Sequence, residues 1–103
     1  MNSYDIDGVL TKGIKPEEPC IIVSGRLNKF TEETKRQMKE LKINPLIRIF
    51  LRPFGEPADR IAAGYWKSAI ISMFNIEKHY EDDPVQIDII KKNCPNVNVI
   101  IVT

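Results

Sequence analysis

The chain is poor in the residues that carry thiol, zinc or membrane chemistry. Its two cysteines, Cys20 and Cys94, lie far apart. Neither belongs to a Cys-x-x-Cys pair or stands beside a histidine, which argues against a zinc site. Cys20 opens an apolar run and reads as a small hydrophobe, and Cys94 precedes Pro95 at a turn. The one histidine, His79, sits in an alternating run and reads first as a strand residue. No apolar run approaches membrane-spanning length and no N-terminal signal pattern is present. The expectation is a cytoplasmic protein with no membrane partner. A formal net charge of +1, with both signs mixed along the chain, gives no basic tail or stripe for nucleic acid. There are no internal repeats and no low-complexity segments. The length of 103 residues predicts one small domain, 1–103, able to bury a core but without room for a second.

What is present alternates between strand and helix signals. Cys20-Ile21-Ile22-Val23 is β-branched and bounded by Pro19 and Ser24-Gly25, which predicts a buried strand. Thr31 is placed to cap a helix with Glu32 and Glu33 in its first turn. Phe30, Thr34, Met38 and Leu41 recur at helical spacing, and Asn44-Pro45 predicts the stop. Leu46 to Leu51 reads as the next strand. A second helix carries Ile61, Trp66, Ile70, Met73 and Phe74, with Gly64 interrupting its start. Ile76 to Glu81 reads as a strand, Asp83-Pro84 opens a third helix, and Val97 to Val102 is the last strand. The strand before Asp5 can only be Met1 to Tyr4, short and partly polar. Strand–helix alternation with continuous apolar strands implies an α/β fold: a five-stranded parallel sheet with helices on both faces.

Four pieces carry candidate chemistry, and each also has a plainer reading. Asp5-Ile6-Asp7-Gly8 sets two carboxylates on one face of a strand end, where Gly8 permits a sharp turn; two solvated acids in an Asx-type turn read equally well. Ser24-Gly25-Arg26 follows an apolar run. Its hydroxyl and backbone N–H suit phosphoryl oxygen, and a β-turn with a surface arginine is the alternative. Lys67 stands among Tyr65, Trp66, Ala69, Ile70 and Ile71. An ammonium in apolar surroundings costs solvation, so truncating it is expected to leave stability little changed or raised. A solvated helix lysine is the plainer reading. In Asp82-Asp83, Asp83 is explained as the N-cap before Pro84, whereas Asp82 is a carboxylate with no such explanation and suits a hard cation.

Taken in this order and spacing, the four elements resemble the haloacid dehalogenase superfamily, over roughly Tyr4 to Thr103. The resemblance implies a Rossmann-like domain of minimal type. The short stretches after Asp7 and between Arg52 and Lys67 leave no space for a cap domain, and an open site suits large substrates or polymer ends. It implies a Mg²⁺-dependent phosphatase. Asp5 would be the nucleophile that becomes an aspartyl-phosphate, and Asp7 the group that protonates the leaving oxygen and then activates water. Lys67 would balance charge, Ser24, Gly25 and Arg26 would bind phosphate, and Asp5, the carbonyl of Asp7 and Asp82 would hold the metal. Asp83 would assist the metal or hold Lys67. Arg52, Gly55-Glu56 and Asp59-Arg60 before Lys67 are loosely similar to the phosphatase domain of polynucleotide kinase-phosphatases, which implies a nucleotide or nucleic-acid end as one substrate class. Arg26, Lys29, Arg48 and Arg52 would serve it. A non-catalytic domain of the same type, binding a metal or a partner, is the other alternative.

Overall fold

The computed structural model describes residues Met1–Thr103. Five strands form one parallel sheet: β1 (Asn2–Tyr4), β2 (Cys20–Leu27), β3 (Ile49–Arg52), β4 (Lys78–Glu81) and β5 (Asn98–Ile101). Their order across the sheet is β3-β2-β1-β4-β5. The chain winds outward from β1 through β2 to β3, then returns to the other side of β1 for β4 and β5. A right-handed crossover lies on one face when winding goes one way and on the opposite face when it reverses. Accordingly α1 (Thr31–Glu40) packs Met38 against Tyr4, Cys20 and Ile22, while α2 (Arg60–Met73) and α3 (Pro84–Asn93) pack Ile71, Ile87 and Ile90 against Ile21, Val23 and Val99. No helix is long and apolar enough to cross a membrane.

The short first strand is the centre of the sheet. Its three residues are paired on both sides, Ser3 with Ile21 and His79, Tyr4 with Ile22 and Tyr80. Side chains alternate across it. Tyr4 stacks on Tyr80 on the α1 face, with ring centroids 4.5 Å apart, and its hydroxyl accepts from the Glu17 N–H. Ser3 faces α2 and is fully buried, with its Oγ 2.7 Å from His79 Nδ1.

Several boundaries differ from the sequence expectation. β2 runs on to Leu27 because Leu51 and Arg52 of β3 pair with Ser24 and Leu27, with a register shift between them. β3 begins only at Ile49, because Asn44 turns the chain: its Oδ1 accepts from Leu46 N–H and its carbonyl from Ile47 N–H. Thr31 is the first residue of α1 rather than its cap, and its hydroxyl donates back to the Asn28 carbonyl. That helix ends at Glu40, before Asn44-Pro45. Lys42 takes a positive φ of 61°, and the Ile43 N–H returns to the Met38 carbonyl.

The buried stripe of α2 also differs. Ile61 and Met73 are exposed, and the buried positions are Ala63, Gly64, Lys67, Ser68 and Ile71. Gly64 accounts for the close contact with α3: a Cβ there would lie 3.0 Å from Ile89 Cδ1 and 3.2 Å from its Cβ. The residue that interrupts the helical pattern is thus the one that lets the two helices meet.

Candidate active site at the carboxyl edge of the sheet

β1 and β4 are the neighbouring strands between which the winding reverses. A crevice opens at such a point beyond the carboxyl ends of the strands. Here it is a cleft of about 470 Å³ lined by Asp5, Asp7, Gly25, Arg26, Phe30, Arg60, Lys67, Asp82, Asp83 and Gln86, among others.

Strand register dictates the centre of the cleft. Ser3 and His79 are opposite one another on β1 and β4. Two residues further along each chain come Asp5 and Glu81, on the same face by the strand period. The Asp5 N–H still pairs with the Tyr80 carbonyl, so the ladder holds this far. Lys67 reaches down from α2 between the two carboxylates, with Nζ 3.1 Å from Asp5 Oδ1 and 2.8 Å from Glu81 Oε1. All three side chains are nearly inaccessible, at 2% for Lys67, 8% for Asp5 and 0% for Glu81.

Lys67 therefore does not sit in apolar surroundings. Burial disfavours its ammonium, but Asp5 and Glu81 more than offset that and raise its pKa. Burial likewise opposes ionisation of Glu81, yet the His79 hydrogen bond and the Lys67 charge hold its carboxyl below the usual range. Asp5 moves the other way: burial raises its pKa well above the ordinary 3.8, only partly countered by Lys67. Of the two acids sharing Lys67, Glu81 is pushed toward ionisation and Asp5 away from it.

Around this centre the outer acids are already partnered. Asp7 receives two bonds from Arg26, Nε at 2.9 Å and Nη2 at 2.8 Å, and these hold its carboxyl below the usual range. Asp83 caps α3, accepting from the Val85 and Gln86 N–H groups, and takes two bonds from Arg60 at 2.7 and 2.8 Å. The expectation that Asp83 holds Lys67 is corrected: it holds Arg60. Asp82 has no cationic side chain on it. Its pKa is raised, first by burial and then by the Glu81 charge.

Ser24 departs from expectation because β2 continues through it. It is buried, its Oγ accepts from the Arg26 N–H at 3.1 Å, and Gly25 and Arg26 line the cleft instead. Arg48 and Arg52 also lie elsewhere. Arg48 stacks over Phe50 and Phe74, and buried Arg52 donates to the Gly25 and Glu56 carbonyls.

Two residues of the site were not singled out from the sequence. Glu81 looks in the sequence like no more than a strand end, although the alternation of His79 and Glu81 already puts them on one face. Gln86 lines the cleft from the first turn of α3; its Nε2 donates to Asp83, and its buried Oε1 has no donor.

The donor set fits a divalent cation. Carboxylate oxygens of Asp5, Glu81 and Asp82 lie within 4.8 Å of one another. Only Lys67 offsets these three acids, since Arg26 and Arg60 are taken by Asp7 and Asp83. Hard oxygen ligands with excess negative charge suit a hard divalent cation, and the donorless Gln86 Oε1 suits a water of a hydrated ion. Gly8 makes room for this grouping. It holds a φ of +80°, and a Cβ there would fall on the Asp82 carboxylate. Gly8→Ala is expected to cost about 1–2 kcal/mol of stability through the backbone alone, and to displace the Asp82 carboxylate from the acidic cluster, which would weaken a divalent cation's hold there. Urea unfolding and a Mg²⁺ titration of the same variant check both effects.

No family model, curated protein or solved structure matches this chain.

Proposed function

We propose that the chain is a Mg²⁺-dependent phosphate monoester hydrolase of haloacid dehalogenase type, acting through an aspartyl-phosphate on Asp5. One observation carries the reading. A buried carboxylate ends the central strand at the winding reversal, opens into a cleft, and has an ammonium at 3.1 Å and a second strand-end acid, Asp82, beside it. Phosphate monoesters repel anionic nucleophiles, so such a site must supply positive charge before attack. Lys67 supplies one. Asp5 and Asp82, with the Asp7 carbonyl, would hold Mg²⁺, which supplies Lewis-acid neutralisation of the phosphate oxygens when bound.

An Asp5 carboxylate oxygen attacks phosphorus, the P–O bond to the leaving group breaks, and the leaving oxygen takes a proton from solvent in the open cleft, since Asp7 is held ionised by Arg26. Water then attacks the phosphorus of the acyl phosphate, releasing inorganic phosphate and restoring Asp5. Asp7, kept ionised by Arg26, is suited to accept the proton of that water.

A narrower reading, a nucleotide or nucleic-acid end as substrate, draws on the mouth of the cleft. Phe30 exposes part of its ring there with Lys29 Nζ 5.3 Å from its centroid, and Arg60 is half-exposed nearby. The test is a hydrolysis screen over sugar phosphates, nucleotides, phosphopeptides and 3′- or 5′-phosphorylated oligonucleotides, with Mg²⁺ and with chelator. Release of phosphate from none of them would sink the reading.

The two terminal acids should separate in the same assay. Asp82→Asn is expected to raise the Mg²⁺ needed for half-maximal turnover by about 10–100-fold. Asp83→Asn, which keeps a good cap and changes only the Arg60 partner, should raise it far less. The opposite ranking would transfer the ligand role to Asp83.

A further inference from the structure

Lys67 and Asp5 do not end the buried polar chain. It continues from Glu81 Oε1 to His79 Nε2 at 3.0 Å, and from His79 Nδ1 to Ser3 Oγ at 2.7 Å. His79 and Ser3 are fully buried and nothing in the proposed chemistry uses them. We propose that the Ser3–His79 pair is a positioning device: it keeps Glu81 turned inward on Lys67 and thereby out of the cation position between Asp5 and Asp82. This rests on the metal-dependent reading above.

The donor count supports it. A carboxylate offers about four lone-pair directions. Glu81 Oε1 receives Lys67 Nζ and His79 Nε2, and Oε2 receives the Asp82 and Asp83 N–H groups at 3.3 and 3.5 Å. Both oxygens are thus engaged, Oε1 the more closely, although Glu81 is near enough to Asp5 and Asp82 to join an ion if it were released. The ring tautomer follows by elimination. Nε2 faces Glu81 Oε1, an oxygen that already accepts from Lys67, and so carries the proton, which leaves Nδ1 bare to accept from the Ser3 hydroxyl. Burial keeps the ring neutral. Without the ring's N–H, Glu81 loses one of its anchors. A third carboxylate turned toward the ion would favour the larger, higher-coordinate Ca²⁺ over Mg²⁺, which takes only one or two.

The test compares wild type, Ser3→Ala, His79→Leu and His79→Gln. Gln can present an N–H near the Nε2 position and Leu cannot. In the wild type, ¹⁵N spectra of the ring should show Nε2 protonated and Nδ1 bare. Calorimetric titrations should show the Ca²⁺-over-Mg²⁺ preference rising by about tenfold in His79→Leu, rising in the same direction but less in Ser3→Ala, and staying near wild type in His79→Gln. Turnover of His79→Leu should fall with little change in KM. The proposal is overturned by a ring protonated on Nδ1 or on both nitrogens, or by a wild-type cation ratio in His79→Leu. If His79→Leu does not fold, a wild-type ratio in Ser3→Ala overturns it. It also fails if His79→Gln behaves as His79→Leu, which would reduce the ring to packing. A wild-type chain that binds neither cation overturns it together with the metal reading. Cation ratios that shift as stated, in a chain that hydrolyses nothing, would sink the hydrolase reading alone.

Discussion

Asp5→Asn is expected to remove turnover almost completely, by at least about 10⁴-fold, as losing a covalent nucleophile does. The amide keeps the size of the carboxylate and cannot form the acyl phosphate. The same variant should be no less stable than the wild type. Asp5 has a folded-state pKa raised by burial. A raised folded pKa means that the stability tied to the proton is fully present below the ordinary value of 3.8 and is lost as pH rises through the folded value. Asn carries no such proton. In metal-free buffer the stability of Asp5→Asn relative to wild type should therefore be smallest below pH 3.8 and grow as pH rises across that window. Urea unfolding at a series of pH values measures this, and single-turnover trapping of the phospho-enzyme measures the first effect. Near-normal turnover in Asp5→Asn would end the covalent mechanism.

Lys67→Met should lose about 10²–10³-fold in turnover, the scale for removing one preorganised positive group from a developing negative charge. It should also be strongly destabilised, which reverses the expectation from the sequence. Removing one partner of a buried ion pair leaves an uncompensated charge, at a cost of about 3–5 kcal/mol. Here Asp5 and Glu81 would be left facing each other. The pH dependence has a definite sign. Glu81 has a folded pKa held below its ordinary 4.5, against burial, by His79 and Lys67. Its contribution is present above that ordinary value and is lost as pH falls through the folded one. The stability gap between wild type and Lys67→Met should be widest near neutral pH and narrow as pH drops below 4.5. Thermal unfolding at neutral and acid pH decides it. A gap that does not change with pH would mean that Lys67 acts through packing.

The polar ladder shows where the sequence stops being readable. Asp5 and Asp7 announce themselves by spacing, and Asp83 by the proline after it. Glu81 and His79 look like ordinary strand residues until β4 is laid beside β1. Only then do Ser3 and His79 meet, and Asp5 and Glu81 two residues later. Likewise Lys67 looks apolar in its neighbours along the chain and is ionic in its neighbours across space. Ser24 looked like a strand end because the apolar run stops there, while β3 extends the strand by pairing beyond it.

The amino-acid order by itself determined the α/β alternation, the parallel character of the sheet, the cap of α3 and the placement of acids at strand ends. These depend on period, β-branching and turn residues, which act within a few positions along the chain. Tertiary structure alone decided that a three-residue, partly polar strand becomes the centre of the sheet. It also decided that Lys67 is shared between Asp5 and Glu81, and that Arg26 and Arg60 are taken by Asp7 and Asp83, leaving Asp82 open. Those outcomes follow from register between strands distant in sequence and from competition among charges for a few partners. Neither is encoded in any single segment.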